Sequence, residues 1–210
     1  MLIGACVLLA AAGTPSSAGI RQSLPRATVD RPDEATGPQV HAFYVIPAGG
    51  ADRGLDTDGT IAASISNFQA WLRSQTGGRN LRIDTSSGQP DVTFAQLAET
   101  DPQMAANGAF VRDAIERELI ARGLTRPGKI YAVYYDGSSS YSCGGGAWPP
   151  ALPGIAGALY LRETVGGVTC YHPSRRSRGS GTWTSRSSTS CCTRSASSRP
   201  ARRTRRLRAT

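Results

Sequence analysis

The amino-acid sequence predicts an α/β (α+β) fold in which a mixed sheet is covered by two helices. Three observations carry that expectation. Val40-His41-Ala42-Phe43-Tyr44-Val45-Ile46 is an apolar run of strand length. Ile130-Tyr131-Ala132-Val133-Tyr134-Tyr135 is richer still in β-branched and aromatic residues. Between them lie two stretches whose apolar residues recur at helical spacing.

Taken in order, Val40 to Ile46 ends at Pro47 and suits a buried strand. A loop rich in Asp and Gly follows, to Gly59. Ile61, Ile65, Phe68 and Leu72 then mark one face of a helix, with Asp58 or Thr60 as its cap and Gly77-Gly78 as its stop. Leu81-Arg82-Ile83-Asp84 alternates like a half-exposed strand, and a short element is expected over Val92 to Leu97. Val111, Ala114, Ile115 and Leu119 form the apolar face of a second helix, whose charged side offers the acid-first pairs Asp113/Arg117 and Glu118/Arg122. Gly123 stops it. Ile130 to Tyr135 is expected to be a central strand, and Ala158-Leu159-Tyr160-Leu161 an edge strand after the loop Gly137 to Gly146.

A chain of 210 residues suffices for one domain with a real core. Its formal charge of +9 is unevenly placed. Residues 1–170 carry 13 Lys/Arg against 15 Asp/Glu, whereas residues 171–210 carry 11 Arg and no acid. The body is therefore nearly neutral. The tail has no Lys, a single aromatic residue beyond Tyr171 and no helical stripe, which speaks against nucleic acid as a partner. Leu2 to Ala12 has the length of a signal-peptide apolar region, and small residues follow to Ala18. Residues 1–18 are therefore expected to be a signal peptide, and the protein to be secreted, extracellular or held in the cell envelope. Ile3-Gly4-Ala5-Cys6 can also be read as a lipidation box. No segment reaches the roughly 20 apolar residues of a membrane span. Residues 19–39 read as a linker, 40–170 as the domain and 171–210 as a disordered Arg/Ser-rich tail. Outside the cytoplasm Cys143 and Cys170 are expected to form a disulfide, the alternative being two buried thiols.

Chemistry-bearing residues are few. The two histidines are His41, inside the first strand, and His172, at the start of the tail. With no H-E-x-x-H and no three converging ligands, the chain as given offers no metal ligands and no catalytic residues. His41 reads as a strand histidine with a satisfied hydrogen bond. Asp52, Asp56 and Asp58 miss the EF-hand spacing and read as a solvated loop with a helix cap. Ser138-Ser139-Ser140 lacks the nucleophile elbow, and Asp136 before Gly137 reads as turn chemistry.

The strand Val40 to Ile46, the segment Phe68-Gln69-Ala70-Trp71-Leu72, the strand-loop Tyr134-Tyr135-Asp136-Gly137 and the following Cys143-Gly144-Gly145 together resemble secreted zincin-like metalloproteases of high-GC bacteria. The resemblance runs from Val40 to Cys170 and implies the N-terminal part of a zincin domain. It further implies that a zinc-binding H-E-x-x-H helix comes next, whose histidines hold zinc and whose glutamate activates water against a peptide carbonyl. In its place the chain turns into Ser/Arg text, the appearance of a GC-rich frame read out of register. One spelling of Ser190 to Ser195, read one base earlier, gives Val-Leu-His-Glu-Ile, the first half of such a signature, and continues as Arg-Leu-Val-Pro without the second histidine. The chain is thus expected to be a truncated or frameshifted family member, inactive as given. Zinc as cofactor, and a peptide or protein as substrate, are expected only where the missing helix is restored. The alternative is an extracellular binding or structural module without catalysis, with the loop from Cys143 to Cys170 as its contact surface. A third reading has the Arg tail hold an envelope protein to anionic polymers.

Overall fold

The computed structural model describes residues 25–149, 151–165 and 168–170. The expected signal peptide, and the tail with His172, lie outside them. The elements are β1 (Gln39–Ala48), α1 (Thr60–Gln75), β2 (Thr85–Ser86), β3 (Gln89–Pro90), β4 (Val92–Thr100), α2 (Asp101–Ala105), α3 (Val111–Ala121), β5 (Lys129–Tyr135), β6 (Gly144–Gly145), β7 (Ala156–Tyr160), β8 (Thr164–Val165) and β9 (Val168–Thr169).

Five strands form one sheet in the order β4-β1-β5-β7-β6. β1 runs parallel to β4 and to β5, β5 runs parallel to β7, and β6 alone is antiparallel. Parallel neighbours require a crossover, and α1 supplies the one between β1 and β4. The path from β4 to β5 passes β1 and carries α2 and α3. Because side chains alternate along a strand, β1 sends Ala42, Tyr44 and Ile46 to one face and Phe43 and Val45 to the other. Ile61 and Ile65 of α1 pack on the first face. Met104, Val111, Ile115 and Leu119 pack on the second, against Val133, Tyr135, Ala158 and Tyr160. A strand covered on both faces reads as a continuous apolar run, which is why β1 and β5 stand out in the sequence.

Several local expectations are corrected by pairing that the sequence does not display. Leu81 to Asp84 is no strand; Ile83 makes a single bridge to Val40. The short element at Val92 is instead a nine-residue strand, paired with β1 through Val92 to Gln96 and again at Thr100. β7 is not the edge, because Gly144-Gly145 folds back from the preceding loop and pairs with Leu159 and Ala158. Gly59, not a polar side chain, stands at the start of α1, while the Asp58 carboxylate accepts the Thr60 N–H at 2.7 Å. Glu118 and Arg122 pair as expected, at 3.5 Å, but Asp113 pairs with the buried Arg112.

From Pro25 onward the stretch read as a linker is bound to the sheet. Ala27 bridges Thr93 at the outer edge of β4, and its carbonyl accepts the Phe94 N–H at 2.7 Å. Asp33 accepts the N–H groups of Ser87 and Gly88, at 2.7 and 2.8 Å. Those two residues have positive φ, 53° and 73°, as a tight two-residue hairpin between β2 and β3 requires. Arg26 lays its guanidinium 4.1 Å over the Phe94 ring. The N-terminal strap thereby closes the edge that β4 would otherwise leave open.

The Cys143–Cys170 disulfide is present and closes a separation of 27 residues. Loop closure of that length is worth about 3.5 kcal/mol in the chain-entropy account. Replacing both cysteines by serine is expected to lower the unfolding free energy by about that amount, read from urea titrations of the two proteins. Ile115→Ala, which empties a fully buried position in the α3 core, is expected to cost about 2–5 kcal/mol in the same assay.

Candidate functional site

The sheet carries a buried polar cluster at the strap end and an open apolar groove on its α1 face. The cluster is built on His41. Its Nδ1 lies 2.7 Å from Asp84 Oδ2 and its Nε2 lies 2.9 Å from Thr93 Oγ1. The order carboxylate, imidazole, hydroxyl is that of a hydrolytic triad. Here His41 and Asp84 are fully buried and Thr93 nearly so, so a substrate has no approach to the hydroxyl. The strand setting decides this: His41 points to the α3 face between Phe43 and Tyr131, at 5.1 and 6.0 Å between ring centres.

Asp30, His41, Asp84 and Asp91 bring four ligand atoms within 4.8 Å of one another, a donor set that suits a divalent cation. The cluster nonetheless carries its own cation. Lys129 Nζ lies 2.5 Å from Asp84 Oδ2 and 2.7 Å from Asp30 Oδ2. Arg31 neutralises Asp91, its Nη2 at 2.9 Å and its backbone N–H at 2.7 Å. Burial works to raise the Asp30 carboxyl, but the hydrogen bond and charge of Lys129 outweigh it and hold Asp30 below the usual carboxylate range. Burial likewise works to lower Lys129, and Asp30 and Asp84 outweigh it, so the ammonium is held above its ordinary value. The cluster is thus a lock. It ties the strap, β1, β5 and the segment before β2 together.

The remaining sequence candidates are also drawn into ion pairs. Asp52 is exposed as expected, but Asp56 is buried: Arg26 holds Asp56 with two bonds of 2.8 Å and also reaches Asp52. Asp136 is more than a turn residue. Its buried carboxylate accepts Tyr44 Oη at 2.8 Å, Arg53 Nε at 2.8 Å and Arg162 Nε at 2.9 Å, which joins the ends of β1, β5 and β7. Ser138 is held by Asp101, and the N–H groups of Ser139 and Ser140 are held by Glu163, at 2.7 and 2.5 Å. Sequence reasoning missed the convergence of Asp30, Asp84 and Lys129 on His41. These residues stand 43 or more positions apart in most pairs, and no local pattern links them.

The groove has a volume of about 630 Å³ and lies beside α1, over β5 and β7. Ile65 and Phe68 form the helix side, Ala132 and Gly157 the floor, and Ile130 and Ile155 the open end. The lining is almost wholly apolar; the Tyr134 hydroxyl is directed to Ser64 Oγ at 3.2 Å, and burial pushes that phenol up to about 12. Among the described residues no helix is long and apolar enough to cross a membrane. No family model, no curated protein and no solved structure matches this chain.

Lys129→Met leaves the buried Asp84 and the half-buried Asp30 without their cation and is expected to cost about 3–5 kcal/mol, read by chemical denaturation. The pair also fixes a pH window. Asp30 titrates lower when folded, so its contribution is present above its unfolded value near 3.8 and is lost as pH falls through the folded one. Lys129 titrates higher when folded, so its contribution is complete below 10.5 and is lost as pH rises through the folded value. Melting temperatures of wild type and Lys129→Met are expected to differ most between those limits and to converge outside them.

Proposed function

We propose that this domain is the N-terminal part of a secreted zincin-like metallopeptidase, in which a zinc-binding H-E-x-x-H helix follows Cys170. The open groove is the observation that carries the reading. Strands lie about 4.8 Å apart and helices pack about 8–10 Å apart, so the uncovered width of β5 and β7 suits one helix beside α1. An α/β layer buries such a face under a helix. The point of departure also fits. Cys170 is bonded to Cys143, and the next residue, Gly144, begins the strand that walls the groove. A helix entering there would complete the layer and hold its histidines at the sheet, with zinc polarising water and peptide carbonyl. Residues 171–210 as given have no such motif, and the 210-residue chain is inactive in this reading.

Resequencing the gene from the codon for Cys143 to several hundred bases past the stop, in all three frames, tests this directly. An acid-containing frame with H-E-x-x-H beyond Cys170 is expected. Confirmation of the present frame with no such segment in any frame removes the peptidase reading and leaves an extracellular binding module. The purified 210-residue protein is further expected to retain no zinc by elemental analysis. One zinc per chain, with peptidase activity abolished by a chelator, would overturn the claim that this chain is inactive.

A further inference from the structure

We propose that the strap end of the sheet is a divalent-cation site, in which Asp30, His41, Asp84 and Asp91 bind one ion and Lys129 holds the same carboxylates when the ion is absent. The donors come from four separate parts of the chain: the strap, the third residue of β1, the segment before β2 and the residue before β4. Their ligand atoms all lie within 4.8 Å of one another. Atoms bound to a common ion at about 2.0–2.6 Å stand no more than about 5 Å apart, so the cluster has the span of a coordination shell.

Orphaned oxygens at this end point to a ligand independently of the gathering of acids. Asp84 is fully buried, and its Oδ2 lies against both His41 Nδ1 and Lys129 Nζ, whereas its Oδ1 meets no hydrogen-bond donor. Gln39 Oε1 is a second buried acceptor without a donor. Gln39 lies two residues from His41 on the same face of β1, and opposite Lys129 in the register with β5. An acceptor buried away from any N–H or O–H is costly, and a cation relieves it. Charge points the same way. Arg31 is spent on Asp91, so Asp30 and Asp84 share the single ammonium of Lys129.

His41 is oriented for coordination. Its Nε2 lies 2.9 Å from Thr93 Oγ1, and with that N–H donated to the hydroxyl the Nδ1 lone pair faces Asp84 and Asp30, at 2.7 and 3.6 Å. A ring nitrogen fixed through its partner nitrogen is the usual support of a metal-binding histidine. Three oxygens to one nitrogen favour Mn²⁺ or Ca²⁺ over zinc. Lys129 is the competitor, because its ammonium and the ion draw on the same carboxylates and repel each other. The lock described above is then the ion-free state of the site. This goes beyond the peptidase reading and does not rest on it: neither result bears on whether H-E-x-x-H follows Cys170.

The probe is Mn²⁺ alone, titrated into the full chain after dialysis against a chelator, with free ion read by its electron paramagnetic resonance signal. One ion per chain is expected, with a rise in melting temperature relative to NaCl of equal ionic strength. Asp91→Asn and His41→Gln are expected to weaken binding about tenfold or more, and Asp52→Asn, an exposed carboxylate elsewhere, to leave it unchanged. Lys129→Met is expected to bind the ion about tenfold more tightly and to regain in Mn²⁺ the stability it loses without it. Wild type and Lys129→Met are read by gain, so they decide the test even where Asp91→Asn or His41→Gln does not fold. No Mn²⁺ bound by wild type overturns the proposal, the carboxylates then being balanced by a proton on His41. Several loosely held ions that Asp91→Asn leaves in place also overturn it, by assigning them to exposed carboxylates. Unchanged or weaker binding in Lys129→Met overturns it as well.

Discussion

The position of β1 between two parallel partners constrains everything else in this domain. It pairs with β4 through Ala42 to Ala48 and with β5 through Gln39 to Val45. With both edges bonded, every ladder group of this strand can be satisfied without water, and both faces are free to be covered. The apolar content of Val40 to Ile46 follows from that position. The crossovers follow too, since a parallel partner on each side forces the chain over one face to reach β4 and over the other to reach β5.

At the two ends of the strands, where pairing stops, the protein uses buried ions as fasteners. Asp84 and Lys129 hold the strap end, with His41 and Asp30 around them. Asp136 holds the opposite end through Tyr44, Arg53 and Arg162. Burying a charge is costly unless it is paired and hydrogen-bonded, so such clusters are sensitive to loss of one member more than they are net sources of stability. Both arrangements contain residues that elsewhere perform catalysis or bind metals. Their burial and mutual pairing fit them for holding strands in place.

The two faces of the sheet are unequally finished. α3 and α2 cover one of them across β1, β5 and β7, so that Tyr135 and Tyr160 are buried there. On the other, α1 covers β1 and β4, and the residues of β5 and β7 face a groove. The Cys143–Cys170 disulfide stands at the groove's wall, directly before Gly144-Gly145, which pairs with β7.

The strong elements can be read in the amino-acid sequence without reference to the fold. β1 and β5 were legible because burial on both faces demands unbroken apolar residues, and α1 and α3 because one buried face demands a period near 3.6. The cysteine pairing was legible from its redox logic. The weak elements and the polar clusters follow instead from long-range packing. Gly144-Gly145 has no strand propensity and became the edge through pairing with β7. Leu81 to Asp84 alternates like a strand, yet it gives up its place beside β1 to β4 and β5. Asp30, Asp52, Asp56 and Asp136 read locally as linker, loop and turn because charge at a position says nothing of its partner. Their partners, Lys129, Arg26, Arg53 and Arg162, are brought to them by strand order and crossover. Those depend on long-range pairing that no window of the sequence contains.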